Sequence, residues 1–333
     1  MRIHQYSVQF ADTTFRLTPV DKRRYFWETV QNTPDVFPKP FAVAFDGDAI
    51  MFTVDKIELQ ESKSQFTLVT MIPRGRSEVE LQIEFKYVME VYMNFKLARP
   101  MEICDRSMLP IQALDIIMTQ GRAADSFFPF RNVAYQIPKG GGTFSLGGGK
   151  EVWHGLFTSC HIANAFRPLV NIDVTHAAFF KSQPVLYFMA EVLSTDFRTD
   201  FDVNRLDRRS SLNPQELSIF RKNIKGLTVY DTHRGKIRRH TKVRDVVISA
   251  ANEYFDGENG KLTVAQYFKE KYKELQFPCM PCVVCGSAKK PIILPVEICY
   301  IAEKQKSSKK LAPEQTANMI KVLDDVYNFL VSS

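Results

Sequence analysis

Apolar and polar residues alternate along much of the first hundred positions, a pattern that predicts β-strands. The alternation is clearest in four segments, which are Ile3–Phe10, Ala49–Val54, Phe66–Ile72 and Leu81–Phe85. Between the first two, Lys22–Val30 places its apolar residues at helical spacing instead. Several strands with one intervening helix indicate an antiparallel α+β unit, and no chemical motif is apparent within it.

Two more helices are indicated farther along the chain. Leu109–Met118 is rich in apolar residues and carries Pro110 near its start, where a missing N–H is tolerated. Near the end of the chain, helical spacing relates Met319, Ile320, Leu323, Val326, Tyr327 and Leu330. This stripe still continues at the last residues, so we expect the sequence to be a truncated part of a longer protein. The polar stretch Asp196–Asn213 predicts a loop.

Length and composition are those of an ordinary globular protein. The 333 residues predict two or three domains. No apolar run approaches the roughly 18 residues that a membrane span needs, and no leader sequence is recognisable. Six cysteines are too few for a disulfide scaffold in a chain of this length, which favours a reducing compartment. We expect a cytoplasmic protein, with a nuclear location as the alternative.

The positive charge is concentrated in one region. The net charge of the chain is +7, yet residues 1–100 carry 13 basic and 13 acidic residues and are neutral overall. Residues 201–310 carry 22 Lys or Arg against 12 Asp or Glu, an excess of 10. Such a local excess is typical of a surface that binds a polyanion, although a solvated basic face without a partner has the same composition.

Aromatic residues are interleaved with Lys and Arg in this basic region. Ile224–Tyr230 and Lys236–Arg244 predict a hairpin with a cation at nearly every second position of its return strand. Thr263–Gln266 has the spacing of a capping box, and the helix that it begins would set Tyr267 and Lys271 on one face. Because bases stack on aromatic rings and phosphates bind cations, this is the composition expected of a pocket for single-stranded nucleic acid, although it does not by itself favour one. The alternative is that these aromatic side chains pack in a core.

Two groups of motifs resemble the Argonaute family. Ser145–Gly155, with a glycine triplet close to Trp153, and Leu169–Lys181 resemble the first linker of Argonaute proteins. A second group of residues resembles the sequence pattern of the family's PAZ domain. These residues are Thr232, His233, Gly235, Arg239, Phe255, Thr263–Phe268, Lys271, Tyr272, Cys282, Gly286, Lys290, Leu294 and Pro295. Where the family pattern has Tyr-Arg, this chain has Thr241 and Lys242, so one phenolic donor is lost and a guanidinium fork becomes a point charge.

The resemblance implies a multidomain α+β protein. Residues 1–98 would form the N domain, 99–182 the first linker, 183–302 the PAZ domain and 303–333 the start of the second linker. The N domain would be an antiparallel α+β unit. The PAZ domain would be a small OB-like β-barrel with an inserted hairpin–helix module. The Mid and PIWI domains of the family would follow the end of this sequence.

The site implied by the resemblance is a pocket for the 3′ end of a small RNA, formed by His233, Arg239, Lys242, Phe255, Tyr267, Lys271, Tyr272, Lys290 and Leu294. In this pocket the histidine and the two tyrosines would hold phosphates, and Arg239, Lys271 and Lys290 would add charge along the backbone. Phe255 and Leu294 would line the slot for the terminal base and ribose. The resemblance implies no catalytic residue and no cofactor.

The same resemblance implies a role in RNA interference. The guide would be an siRNA or miRNA whose two-nucleotide 3′ overhang enters the PAZ pocket, while the N domain assists in unwinding the duplex. The expected partners are the guide RNA, its target RNA and Dicer or other RISC-loading proteins, and no membrane is involved. RNA cleavage in the family belongs to the PIWI domain, so we expect no enzymatic activity from this chain.

Two alternatives remain open. Cys279, Cys282 and Cys285, with Cys299 farther on, resemble a metal or redox ligand set. The fourth cysteine does not have iron–sulfur spacing, and a zinc ribbon would need a second Cys-x2-Cys pair. The other alternative is a truncated interaction or decoy module whose RNA pocket is weakened at Thr241 and Lys242. The glycine triplets lack the Gly-Lys-Ser/Thr ending of a phosphate-binding P-loop.

Overall fold

The computed structural model describes residues 1–11, 17–58, 64–74, 77–93, 105–120, 126–130, 133–138, 143–163, 167–197, 202–233, 238–257 and 260–332. They fall into two compact units, Met1–Gln136 with Gly155–Thr175, and Ile137–His154 with His176–Ser333. The described residues contain six α-helices and several antiparallel sheets, which confirms the α+β class. The four domain boundaries given above stay predictions.

The first unit is built on a five-stranded antiparallel sheet of order β2-β3-β1-β5-β4. Its strands are β1 (Arg2–Phe10), β2 (Val43–Phe45), β3 (Ile50–Thr53), β4 (Gln65–Arg74) and β5 (Ser77–Tyr92). The four strands predicted from alternation are all present. The alternation identified only part of the last strand, which continues seven residues beyond Phe85.

Two helices belong to the first unit, α1 (Pro19–Asn32) and α2 (Asp105–Gln120). The ring of Phe26 in α1 stacks on Phe45 of the sheet with centroids 4.0 Å apart, which fixes the helix on the core. The prediction that Pro110 lies near the start of its helix is wrong, because α2 begins five residues earlier and Pro110 is inside it. The first turn of α2 is polar and gives no apolar signal. The unit also contains β6 (Phe127–Phe130) and β7 (Val133–Gln136).

Two long strands, β9 (Lys150–Ala163) and β10 (Arg167–Phe180), contribute residues to both units. In the second unit, residues 150–152 of β9 pair with β8 (Phe144–Gly147). The indole of Trp153 stacks on the ring of Phe179 with centroids 4.1 Å apart and planes 13° apart. The unusual Gly-Gly-Gly and Trp sequence therefore makes a tight turn followed by a core ring.

The helices of the second unit are α3 (Val185–Phe197), α4 (Pro214–Ile224), α5 (Val264–Lys271) and α6 (Pro313–Ser332). Its remaining strands are β11 (Thr228–Asp231), β12 (His240–Lys242), β13 (Asp245–Val247), β14 (Tyr254–Gly257), β15 (Gly260–Thr263), β16 (Cys282–Gly286), β17 (Pro291–Pro295), β18 (Cys299–Ile301) and β19 (Gln305–Lys306). They form the sheets β12-β11-β18 and β13-β16-β17, and the hairpin β14-β15 leads directly into α5. The expected hairpin–helix module is thus visible, while closure of the sheets into an OB-like barrel stays a prediction.

The predicted hairpin of the basic region is present as β11 and β12, although its turn, residues 234–237, lies outside the described residues. The start of this hairpin was predicted wrongly from the sequence. Ile224 ends α4, and β11 begins only at Thr228, after Gly226 with φ 92°. The helix persists because Asn213 and Glu216 form a capping box and Ile224 is fully buried.

The terminal helix α6 is also present. Met319 and Leu323 of the predicted stripe are partly buried, and the side chains of Val326, Tyr327 and Leu330 lie outside the described residues. Ile320 is 54% exposed, whereas Val322 is buried. Gln315 is 3% exposed, accepts a hydrogen bond from Nζ of Lys150 at 3.1 Å and donates one to the carbonyl of Gly147 at 3.0 Å. A stripe that begins with a polar residue is missed by counting apolar positions alone. None of the described helices is long and apolar enough to cross a membrane.

Candidate nucleic-acid site

Four of the residues that the resemblance proposed for the pocket form a connected aromatic cluster in the second unit: Phe255, Tyr267, Tyr272 and His233. The rings of Phe255 and Tyr267 meet edge to face with centroids 5.3 Å apart. Tyr267 lies 6.0 Å from Tyr272, and Tyr272 lies 4.5 Å from His233 with planes 86° apart. The structure therefore brings together residues from β14, from α5 and its C-terminal end, and from the segment after β11.

The helix α5 positions the two tyrosines. Thr263 caps it by accepting a hydrogen bond from N of Gln266 at 3.1 Å, while Oε1 of Gln266 accepts from N of Thr263 at 3.0 Å. This is the capping box predicted from the sequence. Phe268 is only 3% exposed and anchors the helix in a core that includes Val264. Tyr267 is partly buried against the same core, and Tyr272 at the C-terminal end of the helix is 43% exposed.

A cavity of about 260 Å³ adjoins the cluster and is lined by Leu186, His233, Phe268, Tyr272, Lys273, Glu274, Leu275, Gln276, Phe277, Glu297 and Ile298. Both of its carboxylates already have partners. Glu297 accepts hydrogen bonds from N of Gln276 at 3.0 Å and N of Phe277 at 2.7 Å. Glu274 accepts one from Arg208 at 2.8 Å. Because these carboxylates already accept hydrogen bonds, their electrostatic repulsion of a bound phosphate is reduced.

Buried polar groups support the histidine of the cluster. Nδ1 of His233 lies 3.5 Å from Oδ1 of Asp231, and the two side chains are 6% and 3% exposed. The Nδ1 edge of the His233 ring therefore faces Asp231, while the ring itself contacts Tyr272.

The basic residues proposed for the site are distributed more widely. Lys271 is exposed in the last turn of α5, a position where a cation also stabilises the helix dipole. Arg239 is exposed in the segment that leads into β12. Lys290 is exposed in the turn before β17, the strand whose Ile293 packs in the core beneath Tyr267.

Two proposed residues do not face the aromatic cluster. Lys242 pairs with Thr228, and the register puts it on the sheet face of Tyr230, opposite to that of Asp231. Leu294 is 3% exposed and packs in the main core of the unit, so it offers little surface to a ligand. Thr241, which stands where the family pattern has Tyr, pairs with Val229 and is half-buried.

Two further residues at the cluster were not among the proposed site residues. Phe268 lies 5.3 Å from His233 between ring centroids and 5.5 Å from Tyr272, and it backs both rings. Lys273 is exposed and lines the adjacent cavity. Its position directly after Tyr272 is a signal that could have been used.

The cysteines near this site show none of the properties of a metal centre. Cys282, Cys285 and Cys299 are fully buried, and burial raises the pKa of each thiol. Over the described parts of the chain, no three His, Cys, Asp or Glu side chains are grouped so that they could hold a metal ion. The described residues thus offer the metal alternative no ligand set, and thiols that burial keeps protonated are poor nucleophiles.

Two family models match the chain. The PAZ domain model matches residues 195–320, and the Argonaute linker 1 domain model matches residues 124–181. A curated Caenorhabditis elegans protein, tag-76, is 30% identical over 390 residues, which cover 96% of this chain and 38% of that protein. The chain therefore spans well under half of the length of this relative.

Solved structures are similar as well. Kluyveromyces polysporus Argonaute, whose crystal structure contains a guide RNA, matches 95% of this chain and 36% of its own length, with a TM-score of 0.58 and 16% identity. At 16% identity this match shows similarity of the fold alone. The Drosophila Argonaute 2 PAZ domain, studied for 3′-end recognition of nucleic acids, matches 37% of this chain and 97% of its own at 26% identity, with a TM-score of 0.29 that is too low to carry a structural argument.

The matched segments coincide with the two motif groups recognised in the sequence. The linker model covers the Gly-Gly-Gly and Trp153 turn, and the PAZ model covers the whole aromatic cluster. The fold of an Argonaute extends over nearly all of the remaining chain. The chain carries an Argonaute linker 1 domain and a PAZ domain on the fold of an Argonaute.

Proposed function

We propose that this chain captures the 3′ end of a small guide RNA at the aromatic cluster. The observation that carries the proposal is the edge-to-face series Phe255, Tyr267, Tyr272 and His233, with exposed Lys271 and Lys273 beside it. Rings of this kind stack on bases or donate to phosphates without reading sequence, and lysines neutralise the backbone. The matches to the PAZ and Argonaute linker 1 domains support RNA as the ligand.

The wider role follows from the family and is part of the proposal. The K. polysporus Argonaute of matching fold holds a guide RNA. By analogy, this chain would take siRNA or miRNA strands through a two-nucleotide 3′ overhang, and the N domain, residues 1–98, would help to separate guide from passenger strand. Target RNA and guide-loading proteins such as Dicer would be its partners, in the cytoplasm. We assign binding to this chain and place any RNA cleavage in a PIWI domain of the full-length protein.

The deciding experiment compares RNA duplexes that differ only at their 3′ ends. Fluorescence anisotropy at fixed salt would measure binding of a duplex with a two-nucleotide 3′ overhang and of a blunt duplex. We expect tighter binding of the overhang. The double variant Tyr267→Ala/Tyr272→Ala should lose that preference, since stacking on an aromatic ring contributes about 1–3 kcal/mol per base.

A matched control separates the pocket from a general effect of removing tyrosines. Tyr92 and Tyr187 are 60% and 48% exposed and lie outside the cluster, so Tyr92→Ala/Tyr187→Ala should keep the overhang preference. Equal binding of both duplexes by the unmodified protein would reduce the basic region to an electrostatic patch and would refute the proposed pocket.

A further inference from the structure

A second basic and aromatic site lies on the other face of the sheet β12-β11-β18. Antiparallel register places Tyr230 beside His240 on one side and Tyr300 on the other, with all three on the face opposite to Asp231. The rings of Tyr230 and Tyr300 stack with centroids 5.5 Å apart and planes 16° apart. This face is therefore distinct from that of the aromatic cluster, which adjoins Asp231 through His233.

The aromatic stack holds a guanidinium at the surface. Cζ of Arg238 lies 4.9 Å from the ring centroid of Tyr230, while the Arg238 side chain remains exposed. Tyr230 is only 7% exposed because Tyr300, His240 and Arg238 surround it. A base could not reach the ring of Tyr230, but a phosphate could reach the planar fork of Arg238, which the stack pre-orients.

Beside Arg238 is a cavity of about 410 Å³ lined by Thr228, Tyr230, Arg238, His240, Ala302, Glu303, Lys304 and Gln305. Its floor is held by Gln305, whose Oε1 accepts from N of Thr228 at 2.7 Å and whose Nε2 donates to the carbonyls of Thr228 and Ala302, both at 2.8 Å. Three basic side chains line the cavity against one acidic side chain, and Lys242 lies on the same face.

The backbone at Lys304 adds a second sign of a built site. Lys304 has φ 61°, and it is the only described non-glycine residue with positive φ. An L-residue in this conformation costs about 1–2 kcal/mol, so a Gly or Asn would be the less strained choice there. The lysine is placed at the rim of the cavity despite that cost.

From this geometry we infer that Arg238 and Lys304 clamp an internal phosphodiester of single-stranded RNA at a site separate from the 3′-end pocket. The inference rests on the proposed function for the identity of the ligand as RNA. A pocket for a chain end needs a free 3′ terminus, whereas a phosphate clamp on the opposite sheet face does not. The two sites can therefore be told apart by an RNA that has no end.

The experiment uses a circular single-stranded RNA and a linear RNA of the same sequence, with anisotropy measured over a range of salt concentrations. We expect the circular RNA to bind and the double variant Arg238→Gln/Lys304→Gln to weaken that binding. Because each phosphate contact to a single strand contributes about 0.7 to the log–log salt slope, two lost contacts should reduce the slope by about 1.4. The matched control Arg209→Gln/Lys225→Gln removes the same charges from exposed positions elsewhere in the unit and should leave the slope unchanged.

Failure of the clamp and failure of the pocket give different results. If the circular RNA does not bind, or if Arg238→Gln/Lys304→Gln behaves like its control, the clamp is refuted while the overhang preference can persist. If the clamp variant weakens circular RNA but the unmodified protein shows no overhang preference, the 3′-end pocket is refuted instead. Tyr267→Ala/Tyr272→Ala should leave affinity for the circular RNA intact, and its loss would also contradict a separate site.

Discussion

The imidazole of His233 meets the ring of Tyr272 edge to face, with centroids 4.5 Å apart and planes 86° apart. The contact joins the segment after β11 to the end of α5, and Phe268 backs both rings. It therefore holds two polar side chains, a phenol and an imidazole, at one edge of the adjacent cavity. Substitutions can separate the contribution of the Tyr272 ring to RNA binding from that of its hydroxyl.

Tyr272→Phe keeps the ring against His233 and removes only the hydroxyl, whereas Tyr272→Ala removes both. If the hydroxyl donates to a phosphate, Tyr272→Phe should weaken binding of an overhang duplex by about 1.5–3 kcal/mol, the range for a hydrogen bond to a charged group. Tyr272→Ala should weaken it further. Anisotropy titrations of both variants provide the measurement, and an unaltered affinity for Tyr272→Phe would limit this residue to a packing role.

The capping box of α5 offers a second prediction. Thr263→Ala removes the acceptor for N of Gln266 and should lower the free energy of unfolding by about 1 kcal/mol. Since α5 positions Tyr267, the same variant should also weaken binding of the overhang duplex. Urea denaturation and anisotropy would measure the two effects.

The first unit contains a matched control for this change. Thr18 and Asp21 form an equivalent capping box at the start of α1, where Oγ1 of Thr18 accepts from N of Asp21 at 3.2 Å. Thr18→Ala should destabilise its own helix by a comparable amount and leave overhang binding unchanged. Loss of RNA binding in both variants would show that general instability, and not the position of α5, is responsible.

The two capping boxes also show which features the sequence could predict. Thr263 and Gln266 are three residues apart, and their interaction depends on local backbone geometry alone. His233 and Tyr272 belong to different elements, and periodicity could not place them in contact; only the family resemblance put them in one pocket. Lys242 was assigned to that pocket, yet pairing with Thr228 turns it to the other sheet face. A shift of one residue in strand register moves every side chain of the strand to the other face of the sheet, and composition does not predict the register.

The sequence also could not predict which apolar residues are buried in the core. Leu294 and Phe255 were both proposed as slot residues, but Leu294 is 3% exposed within the main core and Phe255 is only partly buried. The apolar character of a residue does not distinguish a core position from a pocket wall. The stack of Tyr230 on Tyr300 was missed because their contact depends on β11 pairing with β18, across 70 residues of sequence.

Two glycines with positive φ should respond differently to a methyl group. A Cβ at Gly149, φ 72°, would lie 2.2 Å from Cδ2 of Phe188, whereas a Cβ at Gly226, φ 92°, would meet nothing within 4 Å. Gly226→Ala should therefore cost only the backbone strain, about 1–2 kcal/mol. Gly149→Ala should cost at least about 1–3 kcal/mol more through overpacking. Urea denaturation of the two variants is the test, and equal costs would contradict the close packing of the turn on Phe188.

A pair of histidines predicts acid sensitivity. Nδ1 of His154 lies 2.7 Å from Nδ1 of His176, so at least one of these nitrogens must be unprotonated. Burial lowers the pKa of His154, and burial together with the neighbouring His154 lowers the pKa of His176. Below the ordinary histidine pKa of about 6.5, the unfolded chain takes up protons that the folded pair resists. Stability contributed by the pair is present above that pH and is lost as the pH falls.

The measurement is the urea midpoint at pH 7.5 and at pH 5.5. His176→Gln removes one titrating ring and should reduce the loss of stability between the two pH values. The variant His240→Gln, at an exposed position away from the pair, controls for the substitution of a histidine by glutamine. An identical pH dependence in the His176→Gln variant would show that the histidine pair does not govern acid sensitivity.

The cysteine cluster should react according to burial and not as a metal centre. Burial raises the pKa of the thiols of Cys282, Cys285 and Cys299, whereas Cys279 is only partly buried. Because the thiolate is the reactive form, iodoacetamide should modify Cys279 first among these four in the native protein, and the others only after unfolding. Peptide mass spectrometry would locate the label, and Cys279→Ser should remove the native labelling of this cluster. A chelator should leave the Tm unchanged, while stoichiometric zinc or iron, or a Tm lowered by chelation, would restore the metal-binding alternative.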